Sequence, residues 1–456
     1  MSEHVLTDGR PGGPPPAAEE VRPVELRKLR LERVVLVGVA VDGSVEVAER
    51  SVDELRRLAE TAGAEVVDAM VQRRPRPDAS TFIGKGKARE LAAAVKALGA
   101  DTVVMDDELS PGQLRHLEEL VDAKVIDRTA LILDIFAQHA TSREGKSQVE
   151  LAQLNYLLPR LRGWGESLTR LGAGIGTRGP GETKMEVDRR RVRRRITRLR
   201  RNLADMARTR DVKRRSRERA GVPGVALVGY TNAGKSTLLN RLSGAGVLVE
   251  DKLFSTLDPT TRRLDLPGGR AATFTDTVGF IAKLPHDLVE AFKSTLEEVA
   301  RADLVVHLVD AAQPDPDGQV AAVRAVLAEV GAADVPEVLV LNKVDLLDEV
   351  SRARLARQLP GAAAISAATG EGIDGLLATV ATRLPRPPVD LEVLLPYDRG
   401  DLVDRAHREG AVLATEHVAE GTRVRLRAAD ALAHALEPYR LQAAAGDGSG
   451  EVGGAG

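Results

Sequence analysis

Between residues 224 and 242 the chain reads GVALVGYTNAGKSTLLNRL: an apolar run, a glycine-bounded loop and the start of a helix. A loop between Gly229 and Gly234, with Lys235 and Ser236 opening the helix, can turn several backbone N–H groups inward at a helix N-terminus, where the peptide dipoles add positive charge. Such a cradle suits a polyanion. It also constrains the fold, because the strand that feeds it belongs in a mostly parallel sheet covered by helices.

The chain alternates strand and helix patterns in three stretches. Over 26–140, RVVLVGVAVD (33–42), EVVDAMVQ (65–72), DTVVMDD (101–107) and KVIDR (124–128) predict strands, and 51–63, 86–99 and 110–122 predict helices. Ser110 is the expected N-cap of the last helix, with Pro111 at its first position. Residues 222–388 repeat the alternation around the loop, PRPP at 385–388 marks a linker, and 389–442 form a smaller α/β unit. Residues 1–25 and 443–456, rich in Gly, Pro and Ala, predict disordered tails.

Residues 141–221 break the alternation. Leu151, Leu154, Leu158 and Leu161 form one helical stripe, and Val192, Ile196, Leu199, Leu203 and Met206 form a coiled-coil seam. With the glycine-rich stretch 163–184 between them, they predict a helical hairpin projecting from the α/β domain. Lys184 to Arg219 carry 17 Lys and Arg against 5 Asp and Glu, +12 on a chain whose net charge is −2. Charge runs are usually solvated faces, but this concentration predicts contact with RNA phosphates, aided by Arg170, Arg178 and Lys184 at the tip.

Beyond the loop, further segments follow in the order that a guanine-nucleotide switch requires. Gly229, Tyr230, Thr231, Asn232, Ala233, Gly234, Lys235, Ser236 and Thr237 form the phosphate site; Lys235 reaches the β and γ oxygens and the Ser236 hydroxyl ligates Mg²⁺. Phe254, Ser255, Thr256, Leu257 and Asp258 form a switch in which Thr256 completes the metal shell and senses the γ-phosphate, with Thr260 as the alternative. In Asp276, Thr277, Val278 and Gly279, the carboxylate holds a metal-bound water and the Gly279 N–H meets the γ-phosphate. Asn342, Lys343, Val344 and Asp345 end an apolar strand, and Asp345 can accept from guanine N1–H and N2–H₂, a pair that adenine lacks. Ser366, Ala367 and Ala368 offer a backbone N–H to O6. The catalytic set is Lys235, Thr256 and Gly279, the metal ligands are Ser236 and Thr256, GTP is the substrate and Mg²⁺ the cofactor.

The segments ATSREGKSQVELAQLNYLLPRL (140–161), GAGIGTRGPGETK (172–184) and FSTLDPTTRR (254–263), beside GYTNAGKS and DTVGF, resemble the TRAFAC-class GTPases and, within them, the HflX family of ribosome-associated GTPases. The match covers about residues 30–440. It implies an α/β chain: an N-terminal parallel α/β domain with a projecting hairpin, a central Ras-like P-loop GTPase domain and a small C-terminal α/β domain. It also implies binding to the large ribosomal subunit and its RNA, and splitting or rescue of stalled ribosomes; some relatives are credited with ATP-linked RNA activity. Phe280 stands where Ras-like enzymes place a water-orienting glutamine, so hydrolysis should be slow alone and stimulated by the ribosome. Asn232 is similar to the asparagine of potassium-stimulated relatives, which makes K⁺ a candidate cofactor; the alternative is that it braces the loop.

Composition sets outer limits. The chain has no cysteine, which excludes disulfides, Cys-ligated zinc, iron–sulfur clusters and thiol catalysis. Six Phe, 4 Tyr and 1 Trp are too few for strand binding by base stacking. No apolar run approaches a membrane span and no secretory signal is present, so the expected setting is the cytoplasm, and a monomer is the simplest state. Gly174-x-Gly176-x-x-Gly179 spells a dinucleotide fingerprint but follows a helical pattern rather than a strand, and is rejected. Gly84-Lys85-Gly86-Lys87 reads as a helix-start turn, with phosphate contact as the alternative. Two rival functions remain: an RNA-remodelling NTPase and a non-switching RNA-binding adaptor.

Overall fold

The computed structural model describes residues 33–41, 44–161, 180–219, 222–244, 253–254, 256–281, 283, 288, 296, 298–385, 389–428 and 430–441. The expected tails, the loop residues Arg170 and Arg178, the Gly174–Gly179 motif and Ser255 lie outside these residues.

In the first unit β1 (Arg33–Val41), β2 (Glu65–Arg74), β3 (Thr102–Met105) and β4 (Lys124–Asp127) form a parallel sheet ordered β2-β1-β3-β4. Seven consecutive buried residues in β1 reflect a strand covered on both faces. The covering helices are α1 (Val45–Thr61), α2 (Lys85–Leu98), α3 (Pro111–Val121) and α4 (Arg128–His139). At α3 the expected cap is present: Ser110 accepts from Gln113 N, and Gln113 returns a bond to the Ser110 N–H. Helix α1 begins six residues before the expected start at 51, because Ser44 caps it and its apolar face starts at Ala48. Helix α4 was not anticipated. It is apolar nearly all round and buries seven of its residues, so it shows no amphipathic period.

Next come α5 (Arg143–Arg160) and α6 (Pro180–Arg219). Leu151 and Leu154 pack with Val192, Ile196, Leu199 and Leu203 in one buried cluster, with Leu158 and Leu161 at its edge. Met206 lies outside this cluster and is half buried. Glu150 and Arg195 add a two-point ion pair at 2.6 and 2.8 Å. Away from the seam, Arg190, Arg193, Arg194, Arg198, Arg200 and Arg201 are exposed.

The second sheet contains β5 (Gly224–Gly229), β6 (Thr260–Leu266), β7 (Arg270–Asp276), β8 (Leu304–Asp310), β9 (Glu337–Asn342) and β10 (Ala363–Ala364), ordered β10-β9-β8-β5-β7-β6, with only β6 antiparallel. Its helices are α7 (Lys235–Ser243), α8 (Pro316–Glu329), α9 (Glu349–Gln358) and α10 (Ile373–Arg383). β5 lies between β8 and β7, so the loops leaving these strands converge at one edge of the sheet, the usual ligand crevice of such folds. The last unit is smaller: β11 (Val389–Leu395), α11 (Gly400–Glu409), β12 (Ala411–Val418), β13 (Gly421–Ala428) and α12 (Asp430–Leu436) form an antiparallel sheet backed by helices.

One core spans the first two units. Val34, Leu36, Leu55 and Phe136 belong to the same buried cluster as Phe254, Leu257, Val278 and Phe280. The switch segments are therefore packed against the N-terminal unit.

Candidate functional site

The loop leaving β5 is held by short contacts that its sequence makes possible. Gly234 has φ 91°, and a Cβ there would strike the Asn342 amide, so this position requires glycine. Asn232 is exposed and adopts φ 60°. The Lys235 ammonium is almost fully buried and donates to the Gly229 and Tyr230 carbonyls at 3.1 and 3.0 Å. Burial pushes its pKa down to about 8, opposed by the Asp276 carboxylate. Thr231 N bonds Phe280 O, and Phe280 N bonds Gly229 O, which stitches the loop to the chain beyond β7.

Three expected metal-site residues meet. Ser236 Oγ lies 2.6 Å from Thr256 Oγ1 and donates to Asp276 Oδ2 at 2.6 Å. Asp276 is 2% exposed, and burial pushes its carboxyl up against the pull of Lys235 and the two hydroxyls. Its second oxygen, Oδ1, is buried and has no hydrogen-bond partner among the described residues. Two hydroxyls beside an orphaned carboxylate oxygen make an all-oxygen donor set that fits Mg²⁺. No cluster of three or more His, Asp or Glu suited to a metal occurs among the described residues.

Thr277 is buried, and its hydroxyl bonds Leu227 O, tying the chain beyond β7 to β5 beside the loop. Val278 is in the shared core. At Gly279 a Cβ would come within 2.9 Å of Thr231 Cα and 3.2 Å of Lys235 Nζ; no side chain fits between this backbone and the phosphate loop.

At the far end, Asn342 is 1% exposed and joins two loops, donating to Ala233 O at 2.7 Å and accepting from Ala367 N at 2.9 Å. Lys343, at φ 66°, pairs with Asp310 at 2.8 Å, Val344 is buried, and the Asp345 carboxylate is exposed. Of the three residues expected to offer an N–H to guanine O6, Ser366 gives its N–H to Glu371 O and Ala367 gives its N–H to the Asn342 side chain. Ala368, next along, is exposed.

Comparison with known proteins decides the family. Residues 49–137 match the family model "GTP-binding GTPase N-terminal", 139–217 "GTP-binding GTPase Middle Region", 224–343 "50S ribosome-binding GTPase" and 352–445 "HflX C-terminal domain". The chain is 50% identical over 404 residues to the GTPase HflX of Lacrimispora saccharolytica, covering 87% of this chain and 93% of that one. It is 45% identical over 384 residues to the GTPase HflX of Escherichia coli, covering 84% and 89%. The chain belongs to the HflX family of GTPases. It is thus a GTP-hydrolysing enzyme with a ribosome-binding GTPase domain. Among solved structures it is similar to a GTP-binding protein from Sulfolobus solfataricus in complex with GDP, 24% identical over 77% of this chain and 98% of that one, TM-score 0.40. No described helix is long and apolar enough to cross a membrane.

In this HflX-family chain several residues around the site carry no motif of their own. Tyr230, in the phosphate loop, donates to Glu54 of α1 at 2.5 Å. Glu54 pairs with Arg128, which bonds Asp106 at 2.7 Å, and Asp106 pairs with Lys283 at 2.6 Å. An unbroken chain of charges thus runs from the phosphate loop through the N-terminal unit to the segment beyond Gly279. Arg241 donates to Ala367 O and Ala368 O, bracing the base loop. One expected nucleotide residue is placed elsewhere: Asp258 gives its carboxylate to Thr141 and Ser142, because the start of α5 presents four donors there.

Proposed function

We propose that the chain is a Mg²⁺-dependent, GTP-controlled switch that binds the large ribosomal subunit through its basic helical hairpin and acts there to split or rescue stalled ribosomes. The observation that carries this reading is the meeting of Ser236, Thr256 and Asp276 beside Lys235, inside a core shared with the unit that bears the hairpin. The name of the model matched by 224–343 supports the ribosomal part.

In this mechanism the ammonium of Lys235 leaves the Gly229 and Tyr230 carbonyls for the β- and γ-phosphate oxygens, regaining the counter-charge that burial denies it. The N–H groups of Asn232, Gly234, Lys235 and Ser236 hold the phosphates, those of Thr231 and Ala233 being committed to Phe280 O and Tyr230 O, and the Gly279 N–H meets the γ-phosphate. Ser236 and Thr256, with Asp276 behind them, would hold Mg²⁺, which would supply positive charge to the phosphates there. Asp345 accepts from guanine N1–H and N2–H₂, and Ala368 presents a backbone donor for O6. The ring of Phe280 is buried in the shared core and offers no group to orient water, so turnover alone is slow and the ribosome raises it. Asn232, exposed at the loop, is where K⁺ would assist; equal turnover in KCl and NaCl would remove that role.

Sedimentation with purified 50S particles tests the function. Co-migration with a non-hydrolysable GTP analogue is expected at low salt, falling by about 0.7–0.9 log units per log unit of salt for each phosphate neutralised. No co-migration at low salt refutes the ribosomal reading.

A further inference from the structure

Phe254 and Leu257 lie in the core shared with the N-terminal unit, Asp258 docks at the start of α5, and Thr256 meets the nucleotide loop. Phe254, at φ 57°, sets its ring edge-on against Phe136 of α4, with centroids 4.7 Å apart at 83°. Leu257 is 2% exposed in the shared core. Asp258 reaches the first turn of α5: Oδ2 accepts from Thr141 N at 3.0 Å, Thr141 Oγ1 at 2.8 Å and Ser142 N at 2.7 Å, and Oδ1 accepts from Ser142 Oγ. Thr256 meets the loop through its hydroxyl, at Ser236.

The start of α5 is shaped around that carboxylate. Ser142 is the N-cap, its Oγ accepting from Gly145 N at 2.9 Å while donating to Asp258. A Cβ on Gly145 would strike Asp258 Oδ1, which accounts for a glycine in the first turn of the helix. Burial pushes the Asp258 carboxyl up, but the hydrogen bonds from Ser142 and Thr141 outweigh it and hold the group below the usual carboxylate range.

We infer that Asp258 is a positioning residue for the GTP-bound state: it docks the switch on the N-terminus of the hairpin helix, so that presenting Thr256 to the γ-phosphate side and setting the hairpin are one event. This rests on the nucleotide reading above. Since α5 packs along its leucine seam on α6, any motion of the hairpin carries the Asp258 dock with it. The coupling is reciprocal: what favours the docked hairpin favours triphosphate, and the reverse holds to the same factor. GDP, which lacks the γ-phosphate that Thr256 senses, is indifferent to the dock.

The test uses the full chain with Mg²⁺, titrated with GDP and with a non-hydrolysable GTP analogue. Asp258→Asn removes the charge that the Thr141 and Ser142 donors stabilise and replaces one acceptor oxygen with an NH₂ group that no longer accepts from Ser142 Oγ, and Thr141→Val removes one donor without touching the switch. Asp258→Asn is expected to lower affinity for the GTP analogue about tenfold and to leave GDP affinity within about twofold; Thr141→Val should do the same about threefold. By linkage, the gain in 50S affinity given by the GTP analogue should shrink by the same factors. An unchanged ratio of GTP-analogue to GDP affinity, with GDP binding intact, overturns the proposal, as does an equal loss of both nucleotides. Should Asp258→Asn fail to fold, Thr141→Val decides on the same ratio. Failure of the wild-type chain to bind GDP at all would instead sink the nucleotide reading beneath it.

Discussion

Replacing Arg128 by methionine should be among the most costly single changes available at the junction of the two α/β units. The guanidinium is 2% exposed and is held between Glu54 and Asp106, whose side chains are 18% and 2% exposed. Burial works against the Arg128 charge, and the two carboxylates reverse that effect and hold its pKa above the ordinary value. Asp106 is also buried, and burial pushes its carboxyl up; Arg128 and Lys283 outweigh that and keep it below the carboxylate range. Methionine fills much of the arginine's volume but leaves two carboxylates without their shared cation. Breaking a buried pair costs about 3–5 kcal/mol, and because Asp106 keeps Lys283 and Ser51, the lower end, about 3 kcal/mol, is expected. Urea unfolding of the full chain followed by circular dichroism measures it. The triple variant Arg128→Met/Glu54→Gln/Asp106→Asn removes the stranded charges and should recover at least half of the loss. A single-variant loss below about 1 kcal/mol, or a triple variant no better than the single one, would refute the view that this ion cluster joins the units.

Gly279→Ala should leave the chain folded but weaken GTP-analogue binding about tenfold or more relative to GDP, because the new methyl group lies against Thr231 Cα and Lys235 Nζ; parallel titrations with the two nucleotides check it. Asp258 gives a pH signature. Its folded pKa is below the unfolded value, so the unfolded chain takes up the proton first as pH falls, and the stability it contributes is full above about pH 4 and lost below. The stability gap between wild type and Asp258→Asn, followed by urea unfolding from pH 6 to pH 3, should therefore narrow as pH falls; a gap that is constant or widens contradicts this assignment.

The meeting of Ser236, Thr256 and Asp276 was legible in the sequence because the pattern behind it is local. A phosphate loop needs its glycines, lysine and serine within one turn of chain, and the segments around Asp276 and Asn342 end apolar strands that the pattern marks clearly. The seam of the hairpin was legible for the same reason, since Val192, Ile196, Leu199 and Leu203 keep a strict spacing. What the sequence hid is long-range. Glu54 and Tyr230 are 176 positions apart, and Asp106 and Lys283 are 177 apart; nothing in either local pattern announces a partner. Helix α4 escaped because TALILDIF is buried on all sides and has no polar face to set a period. Asp258 was grouped with the nucleotide residues by position, yet its neighbour Thr256 faces the loop while the carboxylate finds better donors at the start of α5.

Calorimetric titration of the purified chain with GTP and ATP in the presence of Mg²⁺ goes to the root of the matter. With Asp345 free to accept from both guanine donors, GTP should bind at least about a hundredfold more tightly than ATP. Equal affinity for the two would contradict a guanine-specific switch between the phosphate loop and residues 342–368.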